Sequence, residues 1–217
     1  MAARRLARGL LIGASLAGVF LMTSASAAST PTRAAGVPAE SVTPQETTRS
    51  LQRALERLPY YGVFDYVTFG VERGVVTLSG FAYNGSLRRA AEMAAKRTSG
   101  VDEVANRLEV LPASQEDDRI RWATFYRIYT DAFLSRYASG GDLAARREIA
   151  EARRWGGLYQ PLGLYSIHIV VRHGQTTLYG VVDSEADKRI AEVRAREVFG
   201  VFGVENEIVV AKKVARG

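Results

Sequence analysis

The chain has 217 residues, 47% of them hydrophobic and 24% charged, with a formal charge of +6 and no cysteine. That length suits one or two small domains once a leader is removed. The lack of cysteine excludes disulfides and lipoprotein acylation, so the fold must be held by its core alone.

Residues 1–27 read as a secretory signal. Arg4, Arg5 and Arg8 form its charged region, a small or apolar run of 13 residues follows from Leu10 to Met22, and Ala25-Ser26-Ala27 is a small-x-small cleavage site. A membrane span needs roughly 20 residues, so cleavage after Ala27 is expected and no transmembrane span in the mature chain. Cleavage removes three arginines and takes the formal charge from +6 to +3 over the remaining 190 residues. This mild charge and the exported address argue against nucleic acid as a partner. Export without disulfides fits a Gram-negative periplasm. Residues 28–42 are rich in Ala, Ser, Thr and Pro without an apolar period, and a disordered linker is expected there.

Thr43-Pro44-Gln45-Glu46 opens the first helix, with Thr43 as N-cap, proline at the first helical position and Glu46 completing a capping box. Leu51, Ala54, Leu55 and Leu58 share one face of it, and Pro59 ends it. Residues 66–73 and 75–82 read as strands around a tight turn at Arg73-Gly74. A helix over 87–98, closed by Gly100, and a third strand over 106–111 complete the unit.

The block then recurs one hundred residues later. Val71-Glu72-Arg73-Gly74-Val75-Val76-Thr77-Leu78-Ser79-Gly80 returns as Val171-Arg172-His173-Gly174-Gln175-Thr176-Thr177-Leu178-Tyr179-Gly180. Arg89, Ala91, Glu92, Ala95, Gly100, Val101, Val104 and Asn106 all have their counterparts in the same register. One supersecondary unit is therefore used twice. Gly80 and Gly180, at the ends of equivalent strands, suggest a bulge or a close backbone approach. Ile167, Ile169 and Val171 point one way and His168, Val170 and Arg172 the other, which predicts one buried and one partly solvated face. The second copy continues with a helix over 185–199, closed by Gly200, and a strand over 206–210.

Between the copies, Ser114 and Asp117 can cap a helix over 118 to about 137. A shorter helix over 142–155 and a glycine-rich stretch follow. Strict register would make the shorter helix the second unit's opening helix, but its apolar face is poor, so the helix from 118 is preferred. The fold class expected is α+β: two tandem α-β-β-α-β units, each a three-stranded sheet covered by two helices. The first spans 43–111 and the second 115–211, with an insertion at 138–166.

The run of a hydrophobic strand, a turn glycine, Val-x-Leu-x-Gly, a charged helix, Gly-Val and Asn-x-Leu-x-Val resembles the BON domain. It reads Gly74-Val75-Val76-Thr77-Leu78-Ser79-Gly80, then Gly100-Val101, then Asn106-Arg107-Leu108-Glu109-Val110, with the second copy ending at Asn206-Glu207-Ile208-Val209-Val210. The resemblance covers residues 47–210. It implies an exported, envelope-associated protein of the osmotically inducible, stress-response type. It also implies a phospholipid-binding module without catalytic residues or cofactor.

Two features bear on a binding surface. Trp122, Phe125, Tyr126, Tyr129, Phe133 and Tyr137 fall in one stripe of the helix from 118, flanked by Arg119 and Arg136. The stripe either packs on the second sheet, as a core-facing helix requires, or lies at a membrane interface. Arg146, Arg147, Arg153 and Arg154 share a face of the shorter helix around Leu143 and Ala150, with Trp155 beside them. These five are the candidate lipid-binding residues, against an ordinary solvated face in which Glu151 partly neutralises Arg147 and Arg154. The partner expected is an anionic phospholipid surface. The alternative is a protein-interaction adaptor of the envelope, using a strand edge or the aromatic loop 60–65, although core packing of Val63 and Phe64 is favoured in that loop. His168 and His173 lack the further ligands a zinc site needs, and no nucleotide loop or catalytic triad is marked, so neither metal nor enzyme activity is expected.

Overall fold

The structure, a computed structural model, describes residues 43–155 and 160–211. The expected signal at 1–27 and linker at 28–42 lie outside these residues, as do the side chains of Asp142 and of 152–155.

Helix α1 (Pro44–Glu56) begins at the capping box read from its sequence. The Glu46 amide donates to Thr43 Oγ1 at 3.3 Å, and the Thr43 amide donates to Glu46 Oε2 at 2.8 Å. Thr43→Ala should cost about 1 kcal/mol, lowering the thermal midpoint by roughly 3 °C, and thermal unfolding followed by circular dichroism checks this. Leu51 and Leu55 are buried on the helix face that meets the first sheet and its second helix.

Strands β1 (Tyr66–Glu72) and β2 (Val75–Ala82) form an antiparallel hairpin. Its turn needs left-handed backbone twice, and Arg73 and Gly74 supply it at φ 49° and 81°. Helix α2 (Gly85–Lys96) returns the chain so that β3 (Glu103–Asn106) and β4 (Glu109–Val110) pair parallel with β2. Val76, Leu78 and Ala82 of β2 bury against Leu51, Leu55, Leu87, Ala91 and Ala95.

The second unit repeats this order. Helix α3 (Gln115–Tyr129) leads to a 3-10 turn (Ser135–Tyr137) and helix α4 (Gly141–Trp155). Then come β5 (Ile167–Arg172), β6 (Gln175–Val182), α5 (Glu185–Arg196) and β7 (Gly203–Val210), in the sheet order β5-β6-β7. Helix α3 packs on β5 and α5, the place that α1 takes over the first sheet, while α4 packs chiefly on α3 and the 3-10 turn.

The hundred-residue register holds at the level of single hydrogen bonds. Asn106 Nδ2 donates to the Arg88 carbonyl at 3.0 Å and to Glu92 at 3.1 Å, and Asn206 Nδ2 donates to the Lys188 carbonyl at 2.8 Å and to Glu192 at 3.2 Å. Each asparagine ties the parallel strand to the helix before it. Gly80 and Gly180 mark close approaches: a Cβ there would lie 2.0 Å from the Tyr66 carbonyl oxygen and 1.9 Å from that of Ser166. Both glycines sit inside their strands rather than at the ends, because β2 and β6 continue for two more residues.

Four further expectations are corrected. Helix α3 ends at Tyr129 rather than near 137. Asp131 stops it, because Oδ1 accepts from the amides of Phe133 and Leu134, and a side chain that takes up backbone donors competes with the helix. The helices after the hairpins, expected over 87–98 and 185–199, run Gly85–Lys96 and Glu185–Arg196. The third strands begin at Glu103 and Gly203, three residues before the expected asparagines, because pairing runs along β2 and β6 from Val75 and Gln175. Finally, neither face of β5 is solvated: residues 167–171 are all buried.

The last correction has a tertiary cause. The outer faces of the two sheets meet at one corner, where Tyr66 stacks on Tyr179 with ring centroids 4.1 Å apart and planes 8° from parallel. The loop 60–65 reaches from the first unit into the second. Val63 and Phe64 are fully buried in the second unit's core, beside Trp122 and Phe125. The described residues of 41–217 thus form one compact body.

Candidate docking surface

Helix α4 turns one face inward and one outward. Ala145 and Ile149 are buried, whereas Arg146, Arg147 and Ala150 are exposed and Leu143 is 82% exposed. The outward face therefore joins two of the candidate arginines to an exposed leucine. Arg146 also lines an open groove of about 430 Å³ with Tyr126, Thr130, Ile149 and Ala150. Beside it, burial raises the Glu148 carboxyl above its ordinary range, Arg147 opposes that rise, and Glu151 adds to it. The helix extends through Arg153, Arg154 and Trp155, whose side chains are outside the described residues.

The aromatic stripe of α3 is divided by the end of that helix. Phe125 and Tyr129 are fully buried, Trp122 is partly buried against the same core, and Tyr137 returns to it through the 3-10 turn. Tyr126 and Phe133 are left exposed. Most of the stripe is therefore core. Of the flanking arginines, Arg119 pairs with Glu116 at 2.6 Å at the surface. Arg136 is held at the start of α5, 2.8 Å from Asp187 and over the Tyr137 ring. Burial alone would raise the Asp187 carboxyl, but the Ser184 and Tyr137 hydroxyls and Arg136 bring it below its ordinary value.

The loop 60–65, weighed as a recognition patch, is occupied within the molecule. The Val63 amide donates to the Pro161 carbonyl at 3.0 Å, and the Ile169 amide donates to the Val63 carbonyl at 2.8 Å, so the loop covers the edge of β5. Asp65 is buried and accepts from the amides of Gly62 and Tyr83 and from Gln160 Nε2. Burial raises its carboxyl to about 6 against the pull of those three donors.

His168 sits across this joint, its Nε2 3.4 Å from the Tyr61 hydroxyl. Burial lowers the imidazole to about 4. The carbonyls of Asp65, Gly62 and Tyr165 favour the protonated ring, but none reaches Nδ1 with hydrogen-bond geometry. His173 stands at the exposed hairpin turn with φ 51°. Its amide and that of Gly174 donate to the buried Asp117, which pins the turn to the start of α3. Among the described residues, no group of three His, Cys, Asp or Glu side chains could hold a metal ion.

Asp65 and Gln160 are not paired by anything in the sequence. Asp65 and Gln160 lie 95 residues apart and carry no local pattern. The one available signal was the aspartate following two buried hydrophobic residues in a loop.

The BON domain model matches residues 46–112 and 144–212, together more than half of the chain. The second match begins within α4, although α3 is the helix that lies over the second sheet. No curated protein sequence matches the chain. Two solved structures of CdsD, a structural protein of the type III secretion system of Chlamydia trachomatis, were also found, one being its C-terminal domain. Each is 11% identical and covers 76% of this chain, with 91% and 96% of the CdsD chains covered and TM-scores of 0.25 and 0.23. At those scores the likeness carries no argument.

Proposed function

This chain belongs to the BON domain family, and from that premise we propose that it is a non-enzymatic periplasmic protein that docks reversibly on anionic phospholipid surfaces. BON-domain proteins are typically envelope-associated. No helix among the described residues is long and apolar enough to cross a membrane, so attachment through them would be peripheral.

The observation that carries the reading is the outward face of α4. Neither sheet needs this helix as its cover, yet it presents Leu143, Arg146 and Arg147 to solvent. Arg153, Arg154 and Trp155 continue the same sequence pattern. An arginine close to an anionic bilayer contributes about 1 kcal/mol, so four would give weak and reversible attachment. Surface charges are screened over about 8 Å at physiological ionic strength, so the attachment should weaken as salt rises.

The test is co-sedimentation of residues 28–217, which contain the compact body, with vesicles of graded anionic content. Changing Arg146, Arg147, Arg153 and Arg154 together to glutamine should weaken binding at low salt by roughly a hundredfold or more. Equal binding by the altered protein would remove α4 as the surface. No binding by the parent to anionic vesicles at low salt would remove the lipid reading, and capture of one defined envelope protein would then favour an adaptor.

A further inference from the structure

Comparison of the two copies exposes a difference that their shared fold does not require. The loop after the second helix of each unit is Ser99-Gly100-Val101-Asp102 in the first copy and Phe199-Gly200-Val201-Phe202 in the second. Gly100 and Gly200 have φ of 81° and 93°, and Asp102 and Phe202 each donate their amide to the turn glycine of the adjacent hairpin, Gly74 or Gly174. The backbone is thus the same, with two polar side chains in one copy and two phenylalanines in the other. Both rings are turned to solvent: Phe199 is 88% and Phe202 80% exposed.

We propose that Phe199 and Phe202 form a wedge that inserts into the apolar boundary of a lipid bilayer. This proposal rests on the lipid-docking reading and assigns it a second, apolar contact.

Three observations favour a bilayer as the occupant. First, the tip is firmly built. The Val201 amide donates to the Val198 carbonyl, the Phe202 ring lies against Gly174, and Gly200 lies against Ile120 of α3. Both rings stay largely exposed on this tip, and neither joins the buried core. Second, the rings project from a loop beside the hairpin turn, a shape that a deformable lipid interface admits without a preformed pocket. Third, the area is small. An aromatic side chain buries about 150–250 Å², so the two fall well short of the roughly 1,200 Å² that a stable protein interface needs. They suffice for a reversible interfacial contact. The tip lies near the start of α3, where Ile120 touches Gly200, whereas the α4 groove meets Tyr126 and Thr130 near the other end of that helix. The two contacts can therefore be altered separately.

The control substitution is supplied by the protein itself. Phe199→Ser with Phe202→Asp installs the first copy's residues on the same backbone, so folding should be preserved, and circular dichroism and the thermal midpoint check that it is. Apolar insertion resists salt where charge attraction does not. The double variant should therefore lose roughly tenfold or more of the binding to anionic vesicles that survives at high salt. The four-arginine variant should lose chiefly the salt-sensitive part. In parallel, Phe199→Trp should shift its emission to the blue on vesicles and be quenched by lipids brominated in the acyl chain, relative to the unsubstituted protein. Unchanged salt-resistant binding, or an introduced indole that is neither shifted nor quenched while the protein is bound, would overturn the wedge and leave docking through α4 standing. Loss of a dimer in the double variant, seen by sedimentation of the parent without vesicles, would assign the tip to a second copy instead. Failure of the parent to bind vesicles at any salt would overturn both readings.

Discussion

Phe64→Ala should cost about 3–5 kcal/mol of stability, the range for removing a buried aromatic ring, and the damage should appear in the second unit. Phe64 belongs to the first unit by sequence, in the loop before β1. Its ring is nevertheless buried in the core built by the second, packed edge-on to Trp122 and Phe125 and tilted against Tyr83. Truncation leaves a cavity beside Trp122 and Phe125 of α3 and Tyr83, which cannot collapse freely. For a body of this size the thermal midpoint should fall by roughly 10 °C. Amide hydrogen exchange locates the effect. Protection should fall in β5, β6 and α3 and be largely kept in α1 and α2. A cost below about 1 kcal/mol, or lost protection confined to 44–110, would show that the units do not share this core.

The second large effect concerns pH. Asp65 and His168 lie at the same joint, and burial moves both in opposite directions, Asp65 up to about 6 and His168 down to about 4. An acid raised from its ordinary value near 4 makes the folded state hold a proton that the unfolded state releases, so its contribution is present below about pH 4 and is lost as pH rises through 6. A histidine lowered from about 6.5 does the reverse, and its contribution is present above that value and is lost as pH falls through 4. Between pH 4 and 6 the two slopes nearly cancel in the parent protein. Asp65→Asn removes one of them, and stability should then fall by about 3 kcal/mol, relative to the parent, as pH drops from 6.5 to 4. His168→Gln removes the other, and stability should rise by a similar amount over the same drop. Urea unfolding at several pH values measures both curves. Parallel curves for the parent and either variant would mean that the group does not titrate across the joint.

The repeat was legible because its determinants are local. A left-handed turn at Arg73-Gly74 and His173-Gly174, capping groups at Thr43 and Ser114, and apolar alternation in β2 each depend on neighbours a few residues away. The asparagines could be matched across copies by register alone, although their bonds to the preceding helix were visible only in three dimensions. The aromatic spacing continues past Tyr129 and so predicts a longer α3 than is found, while the competing Asp131 side chain has no periodic signature. The arginines of α4 could be placed on one face by helical geometry. The poor apolar face of this helix already argues that α3 rather than α4 covers the second sheet, and the structure shows α4 packed on α3 and the 3-10 turn instead. The register sets Phe199 and Phe202 opposite Ser99 and Asp102, but only the structure shows that both rings are exposed.

The sequence by itself determined two copies of one α+β unit, its turns and caps, and membership of a family, because backbone conformation and apolar periodicity are set over short stretches of chain. Only the tertiary structure decided how the copies join. Asp65 meets Gln160 across 95 residues, Phe64 enters the other copy's core, and both faces of β5 are buried. These contacts depend on which surfaces remain apolar or unpaired after each unit has folded. That is a property of the assembled shape, in which residues distant in sequence compete to cover the same sheet.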